Sequence, residues 1–346
     1  MNAKGLFFVL LLLLPSALRA QGYAGLGGSA EGFALPQPGY QFEFPQDHGP
    51  HPDFRIEWWY LTANLQGEDG RNYGIQWTLF RSALKPTEVE GWQSPQLWMG
   101  HAAVTTPEEH YFAERLSRGG IGQAGVIAEP FEAWIDEWHM RGPSPENLSL
   151  SAGGDQFGYD LTLSARGPMV FHGDAGYSVK SADGQASHYY SQPFYAVEGV
   201  LHLPDGDVAV TGQGWLDREW SSQPLATDQS GWDWFSLSFD DGDKLMAFRL
   251  RGGRGDFTAA TWIGADGTAT PLPDGSVFFT PLDTARVAGR QVPVQWRLTL
   301  PDRDLAVEVS ALTPNAWMAT RFQYWEGPVT VSGSHTGRGY LEMTGY

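Results

Sequence analysis

No cysteine occurs anywhere in the 346 residues. That single absence removes disulfides, thiol nucleophiles and any lipid-bearing N-terminal cysteine, so stability has to come from packing. Basic residues are scarce too: 22 Lys and Arg stand against 40 Asp and Glu, a formal net charge of −18. A chain so acidic repels phosphate backbones, which excludes nucleic acid as a partner. Long apolar runs are missing after the first twenty residues. The one run at the start, Leu6–Leu14, falls short of the ~20 apolar residues that a spanning helix needs. With Lys4 before it and the small residue Ala20 after it, it reads as a signal peptide over residues 1–20. The expectation is export to a periplasm or to the cell exterior. Helix-period stretches are nearly absent, and there is no Gly-x-Ser-x-Gly elbow, His-Glu-x-x-His pair or P-loop.

What the chain does have is aromatics and turns. There are 15 Trp, 13 Tyr and 19 Phe, most of which suit the core and cross-strand pairs of β-sheet, with a subset left to line a ligand cavity. Runs such as Tyr73–Phe80, Tyr159–Ser164 and Val294–Leu300 alternate with period two. Asp-Gly pairs at 69–70, 183–184, 205–206, 241–242, 266–267 and 274–275 separate such runs, a meander's punctuation. The class is therefore all-β. The ~325 residues after the signal exceed one ordinary core and suit two domains. Residues 21–39 are a Gly-rich leader, expected to be loose.

The halves repeat. Thr211-Gly-Gln-Gly-Trp-Leu-Asp217 matches Thr336-Gly-Arg-Gly-Tyr-Leu-Glu342 position by position. An aromatic and Glu-Gly lie upstream of each, at Glu198-Gly199 and Glu326-Gly327. Two copies of one β unit, 40–222 and 229–346, follow.

Polar groups gather among aromatics in four blocks: Asp47–His51 with Glu57-Trp58-Trp59-Tyr60; Gly214–Trp220; Gly231-Trp232-Asp233-Trp234; and Gly337–Tyr346, which holds Tyr340 and Glu342. On a strand, Trp215, Asp217 and Glu219 share one face while Arg218 and Trp220 share the other. Charges among tryptophans are costly unless paired. They form either an ion-pair network joining two domains or a working site, and the sequence leaves both open. Burial would raise such a carboxyl into the range of a general acid, unless Arg218 or Arg338 lowers it. His48 and His51 have His-x-x-His spacing in a Gly/Pro loop without a second ligand pair, which favours hydrogen-bonding histidines over a metal. His101 reads as a packed histidine.

These blocks resemble the AttH-like family, whose relatives include carotenoid 1,2-hydratases and predicted secreted hydrolases. The resemblance rests on Pro45–His51, Glu57–Ala63, Leu79–Arg81, His101–Thr105, Gly214–Trp220, Gly231–Phe235 and Gly339–Tyr346. It implies two tandem lipocalin-like (calycin) antiparallel β-barrel domains. It also implies cofactor-free chemistry on a hydrophobic, isoprenoid- or lipid-like molecule, with Asp217 or Glu219 as the acid. Glu57 and Arg218 complete that catalytic set, and Trp58, Trp220, Trp232 and Trp234 form a wall for a carbocation. Tyr60, His48, His51, Tyr340 and Glu342 complete the ligand-binding set. Arg218 stands where the hydratases would have a histidine, which argues against carotenoids in particular. Relatives found beside exporters imply an ABC-type envelope transporter as a partner. A non-catalytic carrier of an apolar ligand remains the alternative, and carbohydrate chemistry a third.

Overall fold

The structure is a computed structural model that describes residue 26 and residues 28–346; the expected signal peptide and residues 21–25 and 27 of the leader lie outside the described residues. The described residues are nearly all-β, with 61% in strands and no α-helix. The first thirteen strands are β1 (Ile56–Gly67), β2 (Asn72–Ala83), β3 (Gln96–Thr105), β4 (His110–Arg118), β5 (Ala124–Ile127), β6 (Phe131–Ile135), β7 (Trp138–Ser144), β8 (Asn147–Gly154), β9 (Phe157–Ala165), β10 (Val170–Phe171), β11 (Tyr177–Val179), β12 (Ala186–Leu203) and β13 (Gly206–Ser221). They form one sheet in the order β4-β3-β2-β1-β13-β12-β9-β8-β7-β6-β5, with β10 and β11 on β12. The other ten are β14 (Gln229–Phe239), β15 (Lys244–Gly252), β16 (Phe257–Ile263), β17 (Ala269–Leu272), β18 (Phe278–Val287), β19 (Arg290–Leu300), β20 (Leu305–Ala311), β21 (Trp317–Met318), β22 (Tyr324–Gly333) and β23 (Gly337–Thr344). Their sheet runs β17-β16-β15-β14-β23-β22-β20-β19-β18, with β21 on β22. The first sheet curls until β3 and β4 meet β6 and β8, a near-barrel, and the second makes a half-barrel. The fold is lipocalin-like.

Turn chemistry places the hairpins. Gly70, between β1 and β2, has φ +78°, and Gly242, between β14 and β15, has φ +100°. These are left-handed values that a Cβ would strain, at corresponding points of the two sheets. Period-two alternation then divides the side chains. Trp59, Leu61, Trp77 and Leu79 face the first barrel's interior, which is filled rather than hollow. Phe235, Leu237, Trp296 and Trp325 fill the second. The opposite face of the same strands contributes Tyr60, Tyr189, Trp215, Trp234, Phe248 and Tyr340 to a third cluster between the sheets.

Strand order supports the repeat: β12-β13-β1-β2 corresponds to β22-β23-β14-β15. Asp217 pairs with Tyr60 where Glu342 pairs with Trp234. The upstream Glu-Gly match does not survive. Glu326 faces Glu342, but Glu198 faces Thr211 and is exposed, and Ser191 takes the position opposite Asp217. The spacings already differ, 13 residues from Glu198 to Thr211 against 10 from Glu326 to Thr336, and the β12–β13 hairpin extends further beyond its motif, so the two glutamates meet different rows. The described part of the leader is also held. Arg55 Nη2 donates to the Leu26 carbonyl at 2.9 Å and the Ala34 amide to Asp53 at 2.9 Å.

Candidate functional site

Between the two sheets lies a cavity of about 210 Å³. The first sheet offers it Trp58 and Tyr60 from β1, Phe80 from β2, Met99 and His101 from β3, and Asp217 and Glu219 from β13. The second sheet offers Trp232 and Trp234 from β14, Phe248 and Leu250 from β15, Tyr324 from β22, and Glu342 and Thr344 from β23. Lys180 and Tyr189 complete the polar lining, and Leu26 and Leu225 lie at its edge.

Two carboxyls here are drawn away from bulk water, Asp217 buried and Glu342 half-buried at the cavity wall. Asp217 accepts hydrogen bonds from the Ser191 hydroxyl and, at 2.9 Å, from Trp215 Nε1. Burial outweighs those bonds and pushes its pKa up to about 7, with the Glu219 charge adding to the rise. Ser191 is backed by His172 Nε2 at 2.6 Å, and His172 in turn by Thr261 of the second sheet at 3.0 Å. This is no hydrolytic triad, because the serine sits between the histidine and the acid. Glu342 accepts from Trp232 Nε1 at 2.5 Å, and burial raises it to about 7 as well, against that bond and with help from the Asp217 and Glu219 charges. Behind it, Glu326 takes a 2.6 Å bond from the Tyr60 hydroxyl; burial and then the Glu342 charge hold it well above the ordinary carboxyl range. The third cavity carboxylate behaves differently. Glu219 pairs with Lys180 at 2.9 Å, and that ammonium lies over the rings of Phe248 and Tyr189, at 4.3 and 4.8 Å. The cavity thus combines one ion pair, two carboxyls poised near neutrality and a wall of indoles.

Of the residues singled out in the sequence, Asp217, Glu219, Trp58, Tyr60, Trp232, Trp234 and Glu342 meet in this cavity. Glu57, Arg218, Trp220, His48 and His51 do not. Glu57, Arg218 and Trp220 lie on the other face of β1 and β13, as alternation requires, and with His48 and His51 from the segment before β1 they build a separate cluster. Glu57 is fully buried and accepts from Arg81 Nε at 2.9 Å, Arg218 Nη2 at 2.7 Å and the His51 ring at 2.6 Å. Burial alone would raise it, but His51, Arg218 and Arg81 together hold it far below the ordinary range. His51 stacks on Trp220 at 3.9 Å and also reaches Asp47 at 3.1 Å, while His48 bonds the Tyr190 hydroxyl at 2.7 Å. Arg218 therefore holds Glu57 ionised and leaves Asp217 alone, which removes the objection that it would keep the acid charged. Tyr340 is buried between the sheets beside Glu326, outside the cavity lining. Asp233 repeats the clamp in the second sheet, between Arg249 at 2.7 Å and Arg251 at 2.6 Å. Among the described residues no group of three His, Asp or Glu is placed to hold a metal.

Sequence reading missed Lys180, Tyr189, Ser191, Tyr324 and Glu326 as site residues, and took His101 for packing. Tyr324 and Glu326 had a signal, their place as the aromatic and the glutamate upstream of the repeated motif. Lys180 stands in a short stretch without periodicity, and the others meet the site through contacts that only the folded sheets create.

The model of the AttH-like family matches residues 35–346. This chain belongs to the AttH-like family. An AttH protein of Nitrosomonas europaea is 33% identical over 91% of this chain and 100% of its own, with a TM-score of 0.82. Kievitone hydratase of Nectria haematococca is 17% identical over 90% of this chain and 98% of its own, with a TM-score of 0.67. A structure of CghA with Sch210972 is 13% identical over 92% of this chain and 97% of its own, at 0.55. At such identities the last two speak for the fold alone. None of the proteins of curated function matches the sequence.

Proposed function

We propose that this protein is an exported, cofactor-independent catalyst of the hydratase/hydrolase kind, acting on a hydrophobic, unsaturated small molecule in the cavity between its sheets. The observation that carries the proposal is the placement of Asp217 and Glu342 in one aromatic cavity, each bonded to an indole N–H and neither to a cation, where burial raises both to about 7. A general acid works best with a pKa near the ambient pH. Water adds to an unactivated alkene only after a carbon is protonated, and the cation that results is stabilised by indole faces such as those of Trp58, Trp232 and Trp234. That a hydratase shares the fold supports the reading. The volume bears on the substrate. At about 210 Å³ the cavity has room for a ring system or a short isoprenoid segment. The expected signal peptide places this chemistry in the envelope, where an ABC-type exporter would be the partner.

The test is turnover in ¹⁸O-labelled water with geraniol, farnesol and a set of aryl and acyl esters. Hydration adds one labelled oxygen and two hydrogens to an alkene, and hydrolysis places the label in the released acid. If no member of the set incorporates label while farnesol quenches the tryptophans and stays bound, the protein is a carrier.

A further inference from the structure

We infer that the cavity holds its own base: Tyr324, whose proton is drawn off by His101, with Glu114 fixing the orientation of His101. The inference rests on the hydratase reading above and names the group that this reading lacks, the acceptor of the water's proton.

His101 sits on β3 with its side chain wholly buried, and both its ring nitrogens are engaged. Nδ1 lies 2.7 Å from the Tyr324 hydroxyl of the opposite sheet, and Nε2 lies 3.4 Å from Glu114 Oε1 on the neighbouring strand β4. Glu114 is the cross-strand partner of His101, keeps a fifth of its side chain in solvent and accepts from the Arg321 amide at 3.0 Å. Its carboxyl is held below the ordinary range, first by the bond to His101. An ionised carboxylate only accepts, so the imidazole must carry its proton on Nε2. Burial keeps the ring neutral, against the pull of Glu114. Nδ1 is then left as a bare acceptor for the Tyr324 hydroxyl at 2.7 Å, and Glu326 is the second polar neighbour of that hydroxyl. The pattern is a hydroxyl, a neutral histidine and an orienting carboxylate, the arrangement that activates an oxygen for proton abstraction. His101 faces Glu114 from β4, Tyr324 from β22 and the Phe80 ring from β2, so Glu114 is the charge that governs it.

Register decides which acid works with this base. Asp217, Tyr60, Thr78 and His101 lie in one row across four adjacent strands, so Asp217 and His101 are about 14 Å apart at ~4.8 Å per strand. One double bond cannot touch both. Glu342 is closer. Thr344 pairs with Tyr324, so Glu342, two residues along the same face, is a diagonal neighbour at about 7–8 Å between Cα atoms. Both side chains line the same cavity, so one substrate can meet both.

The step balances. Glu342 gives its proton to one alkene carbon, and the π pair becomes the C–H bond. The oxygen of water bonds to the neighbouring cationic carbon. The proton lost from that water passes to Tyr324 Oη while the Tyr324 proton moves to His101 Nδ1. The enzyme is left with a Glu342 carboxylate and a His101 imidazolium beside Glu114. The Nδ1 proton of His101 returns through the Tyr324 hydroxyl to water that enters as product leaves, which restores the Nε2–H ring, and Glu342 regains a proton from that water.

Two measurements on the full chain test this. Nitrogen-15 spectra of histidine-labelled protein, assigned with His101→Gln, are expected to show a neutral ring with its proton on Nε2 at pH 7. Tyr324→Phe should move the Nδ1 signal. A proton on Nδ1, or a charged ring, overturns the inference and leaves the hydratase reading standing. Kinetics with the alkene that wild type hydrates in ¹⁸O-water form the second arm. Tyr324→Phe and His101→Gln should lower kcat about 100-fold or more with KM changed less than about threefold. Glu114→Gln should lower kcat less and shift the acidic limb of the pH profile. Loss in Glu342→Gln without loss in Tyr324→Phe overturns the base assignment. A wild type inert toward every alkene overturns the reading beneath it.

Discussion

Glu57→Ala is expected to cost roughly 3–5 kcal/mol of folding stability, because it leaves two buried guanidinium groups without their counter-charge. Arg81 and Arg218 are each about 1% exposed and converge on this one carboxylate at 2.9 and 2.7 Å. Arg218 also lies 4.0 Å over the Trp59 ring, so the cluster fixes the mouth of the first barrel. Urea denaturation reads the loss as a lower midpoint with an unchanged slope. The pH dependence has a definite sign. The folded value of Glu57 is depressed, so its contribution is present above the ordinary carboxyl value of 4.5 and is lost as pH falls below it. The gap between wild type and variant should therefore narrow below about pH 4.5. A gap that widens in acid, or a variant as stable as wild type at pH 7, would mean that the two arginines find other partners.

The second large effect runs in opposite directions for stability and turnover. The double variant Asp217→Asn, Glu342→Gln should lose ~10²–10⁴ of kcat, the usual worth of a general acid, and should be more stable than wild type at pH 8. Both acids have folded values near 7, against ordinary values of 3.8 and 4.5. Their neutral forms favour the fold at low pH, and that contribution disappears as pH rises through about 7. Permanently neutral amides of the same shape keep it, by about 1–3 kcal/mol at pH 8. Thermal melts at pH 6 and pH 8 separate the two proteins. A double variant that is less stable at both values would mark the carboxyls as structural ion-pair partners instead.

Much of this was legible in the sequence because β-structure writes itself with period two. The alternation through Gly214–Trp220 places Asp217 and Glu219 on the opposite face from Arg218 and Trp220, and the structure keeps that division. The Asp-Gly turns and the repeated motif mark the hairpins and the corresponding strands. What the sequence could not carry is distance across the fold. His101 and Tyr324 are 223 positions apart and meet at 2.7 Å only because β3 and β22 belong to facing sheets. Adjacent residues mislead for the same reason. Arg218 follows Asp217 in sequence yet serves Glu57, since neighbours on a strand point to opposite faces. The Glu198–Glu326 match failed because the β12–β13 hairpin is longer than the β22–β23 hairpin, so the two glutamates sit at different distances from their repeated motifs.

The central claim is that the cavity holds two carboxylic acids, not two carboxylates. Infrared difference spectra taken across a pH titration, with Asp217→Asn and Glu342→Gln to assign the acid carbonyl bands, measure that directly. The account predicts two protonated bands at pH 6, each lost in its own variant, that disappear around pH 7 in wild type. Bands already absent at pH 5 would contradict it, because ionised carboxylates in that cavity have no proton to give an alkene.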